Sequence, residues 1–136
     1  MTAFAHSPSD SSPLWIVLAL LLIYGWYTEI IDMKGAFLHG RFEVRERIYI
    51  HIPQGFEDYY DKDVVLLLKK TVYGTWQGAA AFWRILVQAF KELNYDRSCI
   101  DPCLYFNWTM YGLVIWISWV NDCLCVGQEK AVKEAI

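Results

Sequence analysis

The chain holds 136 residues, enough for one compact domain and too few for two. At this length a core can form without disulfide staples, and the 56% hydrophobic and 17% aromatic content points to a deep core or to surfaces built to lie against something else. The net charge of −3 argues against an autonomous nucleic-acid-binding surface, which is normally basic, while leaving room for a catalytic piece whose basic partners lie elsewhere.

Residues 1–13 are polar and contain Ser and Pro, so they read as a disordered lead-in. Ser11 or Ser12 is placed to cap the next helix, with Pro13 near its first position and Gly25 at its end. The apolar run Leu14 to Tyr24 is short of the roughly 20 residues a membrane span needs. No Lys or Arg precedes it, so the basic start of a signal peptide is missing. A buried helix is expected, and membrane association through residues 14–27 is the alternative, because Trp26 and Tyr27 suit an interface.

Thr28 to Asp32 reads as a short strand ending in a carboxylate. Ala36 to Gly40 reads as a turn or short helix. Arg47 to Ile52 alternates, with Ile48, Ile50 and Ile52 on one face, as a half-buried strand closed by Pro53. Gln54 to Asp63 is an acidic, aromatic loop, and the apolar run Val64 to Leu68 reads as a core strand.

Ala79 to Leu93 carries the clearest helical period, through Ala79, Phe82, Trp83, Leu86, Val87, Phe90 and Leu93, with Asn94 as its stop. Leu113 to Val126 forms two β-prone runs around Asn121-Asp122, a pair suited to a hairpin turn. Gln128 to Ile136 begins another helix. The order predicts an α+β fold, an antiparallel sheet with helices packed on one face.

Of the four cysteines, Cys123 and Cys125 alternate as residues facing one way on a strand. Neither they nor Cys99 and Cys103 have zinc spacing, so buried free thiols in a reducing, intracellular compartment are expected.

Asp32 and Asp122 stand out chemically. If their strands are neighbours, the two carboxylates converge at one sheet edge as hard oxygen ligands suited to magnesium. Two such ions, about 3.5–4 Å apart, activate an attacking hydroxyl and stabilise a leaving group. Acids at strand ends are also common as plain solvated turn residues.

Five segments decide between these readings. The run Ile31-Asp32-Met33-Lys34-Gly35-Ala36-Phe37-Leu38-His39-Gly40 resembles the first catalytic motif of copia-type retrotransposon reverse transcriptases. Ile48 to Phe56 resembles that family's "IYMEQPEGF", and Leu68 to Gly74 resembles its "LKKSLYG". Asp101-Pro102-Cys103-Leu104-Tyr105 resembles "DPCVY", and Trp119-Val120-Asn121-Asp122 falls where the family has "YVDD". The resemblance covers roughly Leu14 to Gln128 in the right order. It implies a partial polymerase palm over residues 14–136, within a retrotransposon polyprotein.

The resemblance also implies roles. Asp32 and Asp122 match metal-binding acids that hold two Mg²⁺ ions. Phe37 matches the aromatic beneath the incoming sugar, and Gln77 matches the glutamine of the nucleotide pocket. The implied partners are an RNA or DNA primer–template and a deoxynucleoside triphosphate.

Departures from the pattern imply lost activity. Asn121 stands where the family has the first hairpin aspartate, and an amide brings one acceptor and no charge. Two Mg²⁺ ions need anions around them, and each 1.4 kcal/mol lost from the transition state is about tenfold in rate. The pocket motif Tyr73-Gly74-Thr75-Trp76-Gln77-Gly78 has lost a Lys, and a Pro and an Arg are missing just beyond. The family's basic fingers segment and its thumb are expected to be absent. A polymerase by descent, largely inactive, is therefore the expected function, with a non-enzymatic remnant or interaction module as the alternative.

Overall fold

The computed structural model describes residues 12–42, 45–119 and 122–136. The lead-in up to Ser11, and Val120 and Asn121, lie outside the described residues. The chain divides into two compact units: residues 1–34 with 83–136, and residues 35–82.

The first unit opens with α1 (Ser12–Tyr24), which starts at Ser12, inside the expected lead-in. Gly25 ends α1 with φ of 61°, and the Trp26 N–H donates to the Leu21 carbonyl at 2.9 Å. That six-residue closure is a Schellman cap, which needs a residue tolerant of the left-handed region after the last helical turn. A five-stranded sheet follows: β1 (Tyr27–Asp32), β4 (Asp96–Arg97), β5 (Leu104–Thr109), β6 (Gly112–Trp119) and β7 (Asp122–Gly127), in the order β1-β7-β6-β5-β4. Every neighbouring pair in it is antiparallel. The fold is α+β, as the element pattern predicts.

The strand register differs from the one a turn at Asn121-Asp122 predicts. Trp119 pairs with Asp122, so Asp122 is the first residue of β7 and not part of the turn, while Asn121 lies outside the described residues. Strand β5 was not anticipated from its pattern. It starts at a tight corner where Asp101, buried at 4% exposure, accepts the Cys103 N–H at 2.8 Å. The Asp-Pro-Cys segment is thus structural: the carboxylate satisfies a buried donor where the chain enters the sheet.

Both faces of the central strands are covered. On one face, Val17 of α1 packs on Ile115, Ile117 and Val126, with Leu14, Leu21 and Trp26 around it. On the other face lies Phe90, near the end of α3 (Trp76–Glu92). Its ring stacks on Tyr105 at 4.2 Å and meets Tyr95 and Trp116 at 5.6 Å. The same Schellman closure ends α3: the Tyr95 N–H donates to the Phe90 carbonyl at 2.9 Å, with Asn94 at φ 61°. Helix α4 (Glu129–Ala135) covers this second face beside Gly127, with Ala131 and Val132 buried.

The second unit holds α2 (Ala36–His39), a two-stranded ribbon of β2 (Tyr49–His51) and β3 (Val65–Leu67), and the first turns of α3. In β2 the alternation holds, with Ile50 half-buried between exposed Tyr49 and His51. The core-strand reading of Val64 to Leu68 is corrected here. Val65 and Leu67 are exposed because β3 pairs with β2 alone and shows one face of a two-stranded ribbon. Thr75 starts α3 from outside: its Oγ1 donates to the Val72 carbonyl at 2.8 Å and accepts the Gly78 N–H at 3.1 Å.

Candidate active site

Strand β1 runs antiparallel to β7 in a register that places Asp32 directly opposite Asp122. Residues directly opposite in such a pair point to the same face, with Cβ atoms about 4.5–5.5 Å apart. Each aspartate is the terminal residue of its strand, so both carboxylates stand at one edge of the sheet, and both are exposed. Trp119 of β6 extends the row on the far side of Asp122. Trp119, Asp122 and Asp32 thus form one line across three strands.

This line lies on the face that α1 packs against. The helix covers Ile115, Ile117 and Val126, whereas Trp119 is 49% exposed and Ile30, two residues before Asp32, is 73% exposed. The result is an open acidic edge flanked by apolar surface. Trp119 entered the sequence reading only as a substitute for a tyrosine; its position opposite Asp122 follows from the hairpin register, which sequence spacing left one residue off.

Behind the acids the sheet is dry. Ile31 pairs with Cys123, and Ser118 pairs with Cys123 from the other side. Cys123 and Cys125 are fully buried. Burial, and then the neighbouring Asp122 charge, pushes the Cys123 thiol up to about 11. Burial, followed by the charges of Cys123 and Glu29, pushes Cys125 to about 12. Neither is a thiolate ligand or nucleophile near neutral pH. Cys99 is exposed, against the expectation of burial for all four, because it sits in the corner before β5.

Two consequences are measurable. Iodoacetamide at neutral pH is expected to alkylate Cys99 in the native protein and to reach Cys123 and Cys125 only after unfolding. Because their folded pKa values are raised, these thiols favour the fold below the ordinary thiol value of roughly 8.5. That contribution is lost as pH rises towards 11 to 12. Denaturant midpoints are therefore expected to fall across that alkaline window; a midpoint flat to pH 11 contradicts the burial described.

The structure brings Asp32 and Asp122 together. Phe37, on α2, and Gln77, in the first turn of α3, belong to the second unit. Asn121 lies outside the described residues. Among the described residues no group of three or more His, Cys, Asp or Glu side chains is arranged to hold a metal ion. The pair Asp32 and Asp122 nevertheless fits a hard cation: magnesium is commonly held by one or two carboxylates, with water and phosphate oxygens completing the shell. Like charges directly opposite destabilise a strand pair, and a divalent cation held by these acids would offset that repulsion.

The profile of the reverse transcriptase (RNA-dependent DNA polymerase) family matches residues 8–136. The chain is 33% identical over 117 residues to a retrovirus-related Pol polyprotein from transposon TNT 1-94 of Nicotiana tabacum, covering 85% of this chain and 9% of that protein. It is 26% identical over 122 residues to the Pol polyproteins from transposons RE2 and RE1 of Arabidopsis thaliana, covering 90% of this chain and 8% of each. No solved structure matches significantly. The chain belongs to the reverse transcriptase family, of the copia retrotransposon type. It spans less than a tenth of the length of these relatives. Enzymes of this family use divalent metal. No described helix is long and apolar enough to cross a membrane, and α1 has 13 residues.

Proposed function

We propose that this chain is the palm piece of an RNA-directed DNA polymerase, in which Asp32 and Asp122 are the metal-holding acids and Asn121 has removed most of the activity. The single observation that supports the reading is the pairing of Asp32 with Asp122 at one exposed sheet edge. The reaction is nucleotidyl transfer: a primer 3′-hydroxyl attacks the α-phosphorus of a deoxynucleoside triphosphate, and the bond to pyrophosphate breaks. Bound Mg²⁺ would lower the pKa of the attacking hydroxyl and neutralise the leaving pyrophosphate. Asp32 and Asp122 would supply the anionic oxygens that hold it. By the family resemblance, Phe37 is assigned to the incoming sugar and Gln77 to the nucleotide, both within the second unit, and the primer–template is the proposed partner.

The amide at position 121 contributes one neutral oxygen where the family places a carboxylate. Two carboxylates suffice for one cation, and a pair of cations needs more negative charge. Primer extension on an RNA template with Mg²⁺ or Mn²⁺ is expected to give no product above background. Robust extension that Asp32→Ala abolishes would overturn the inactivity. Mn²⁺ titration tests the site without requiring turnover. Weak binding is expected, lost in Asp32→Asn and at least about tenfold tighter in Asn121→Asp, a gain of 1.4 kcal/mol. Binding indifferent to both substitutions removes these residues from the site.

A further inference from the structure

The apolar helix α1 has a second flank that the sheet does not use. Ser12–Tyr24 contains no charged residue, so the helix is apolar around its whole circumference. A helix of that kind is normally covered on all sides. Here Val17 faces the sheet, while Trp15, Ile16, Leu22 and Ile23 are each 60–79% exposed, with Ala19 exposed between them.

The order of these residues has a symmetry. Relative to Ala19, the large side chains stand three and four positions before it and three and four after it. Those spacings place them on one helical face. Read in the opposite direction, the ridge is the same: bulky at both ends and smallest in the middle. A ridge with that property is complementary to a reversed copy of itself. The Trp15 end of one helix lies over the Ile23 end of the other, and the small residue at the crossing lets the backbones approach.

The area agrees with a second copy as the occupant. Aromatic side chains bury about 150–250 Å² each and aliphatic ones somewhat less, so this flank offers on the order of 500–600 Å². Two identical flanks together remove about 1,000–1,200 Å², close to the lower bound for a specific interface. A closed two-fold contact uses the same patch on both molecules and leaves none exposed. The flank carries no charge, so it offers nothing to steer an acidic or basic partner.

We propose that the chain self-associates through α1 as an antiparallel, two-fold helix pair crossing at Ala19. The proposal is independent of the polymerase reading, since it uses none of the residues assigned to the acidic site.

Sedimentation equilibrium of the full chain tests it, and a monomer–dimer equilibrium with micromolar dissociation is expected. Ala19→Glu sets two like charges at the axis and is expected to weaken the dimer at least about tenfold, or 1.4 kcal/mol, with an unchanged far-ultraviolet circular dichroism spectrum. Ala19→Cys in a Cys99→Ser background is expected to form an intermolecular disulfide on mild oxidation, faster than Lys91→Cys in the same background. That measurement decides the matter even if the glutamate variant fails to fold. A chain that stays monomeric at all concentrations overturns the proposal. So does a dimer indifferent to Ala19→Glu, or cross-linking no faster than the Lys91→Cys control. Binding to phosphatidylcholine vesicles in place of self-association assigns the flank to lipid and overturns it as well.

Discussion

Truncating Phe90 to alanine is expected to destabilise the protein by about 3–5 kcal/mol, the range for deleting a buried aromatic ring. Phe90 is 5% exposed and touches three other aromatic rings. It joins α3 to the sheet, because Tyr105 and Trp116 are directly opposite each other on β5 and β6. Removing the ring leaves a cavity bounded by rigid side chains that cannot collapse into it. A domain of this size has about 5–15 kcal/mol in total, so the variant is near the limit of folding. Its melting temperature is expected to fall by about 10–15 °C. Phe90→Leu keeps most of the volume and is expected to cost less than half as much. Similar losses from the two variants would show that ring stacking matters more than volume.

The second large effect comes from adding a methyl group. A Cβ at Gly127 would lie 2.4 Å from the Leu113 carbonyl oxygen, with Val132 of α4 at 3.4 Å. The first contact is with backbone, so no side chain can turn away to relieve it. The β6–β7 pair or α4 must shift. Gly127→Ala is expected to cost about 3 kcal/mol, at the upper end for overpacking, measured by urea denaturation. Gly25→Ala has no such neighbour within 4 Å and tests only the left-handed backbone there. Its loss is expected to be about 1 kcal/mol. A Gly127→Ala variant as stable as the parent would mean that the Leu113 carbonyl of β6 does not approach the end of β7 so closely.

Local signals carried much of the fold. The apolar period of Ala79 to Leu93 is the face that carries Phe82, Leu86 and Phe90 into the interior. Gly25 and Asn94 marked two helix ends because each can take a positive φ. What was not legible depends on sheet membership, which is not a local property. Leu104 to Thr109 and Val65 to Leu67 are both apolar strands. The first lies between β4 and β6 under covering side chains, and the second belongs to an exposed ribbon. Nothing within either segment records how many neighbours it will have.

The candidate site divides in the same way. Asp32 and Asp122 were visible as strand-end acids within recognisable motifs, and their pairing required only that β1 and β7 be neighbours. The half-exposed Trp119 beside them depended on a one-residue choice of hairpin register. A turn at Asn121-Asp122 would have set Trp119 opposite Leu124 in place of Asp122.

The position of β1 at the sheet edge has a consequence for synthesis. Among the described residues its one strand partner is β7, and the Thr28 hydroxyl reaches the Cys125 carbonyl across 97 positions of sequence. Closing a loop of that length costs roughly 4 kcal/mol of chain entropy beyond a constant. At about 5–20 residues per second on a ribosome, β1 waits on the order of 5–20 s for its partner to emerge. Through that interval Ile30 and Ile31 lie on a strand with open hydrogen-bonding groups along both sides, a template for pairing with other chains. Asp32 and Asp122 are therefore brought together by a pairing that must wait for β7 to emerge, after a long exposure to aggregation.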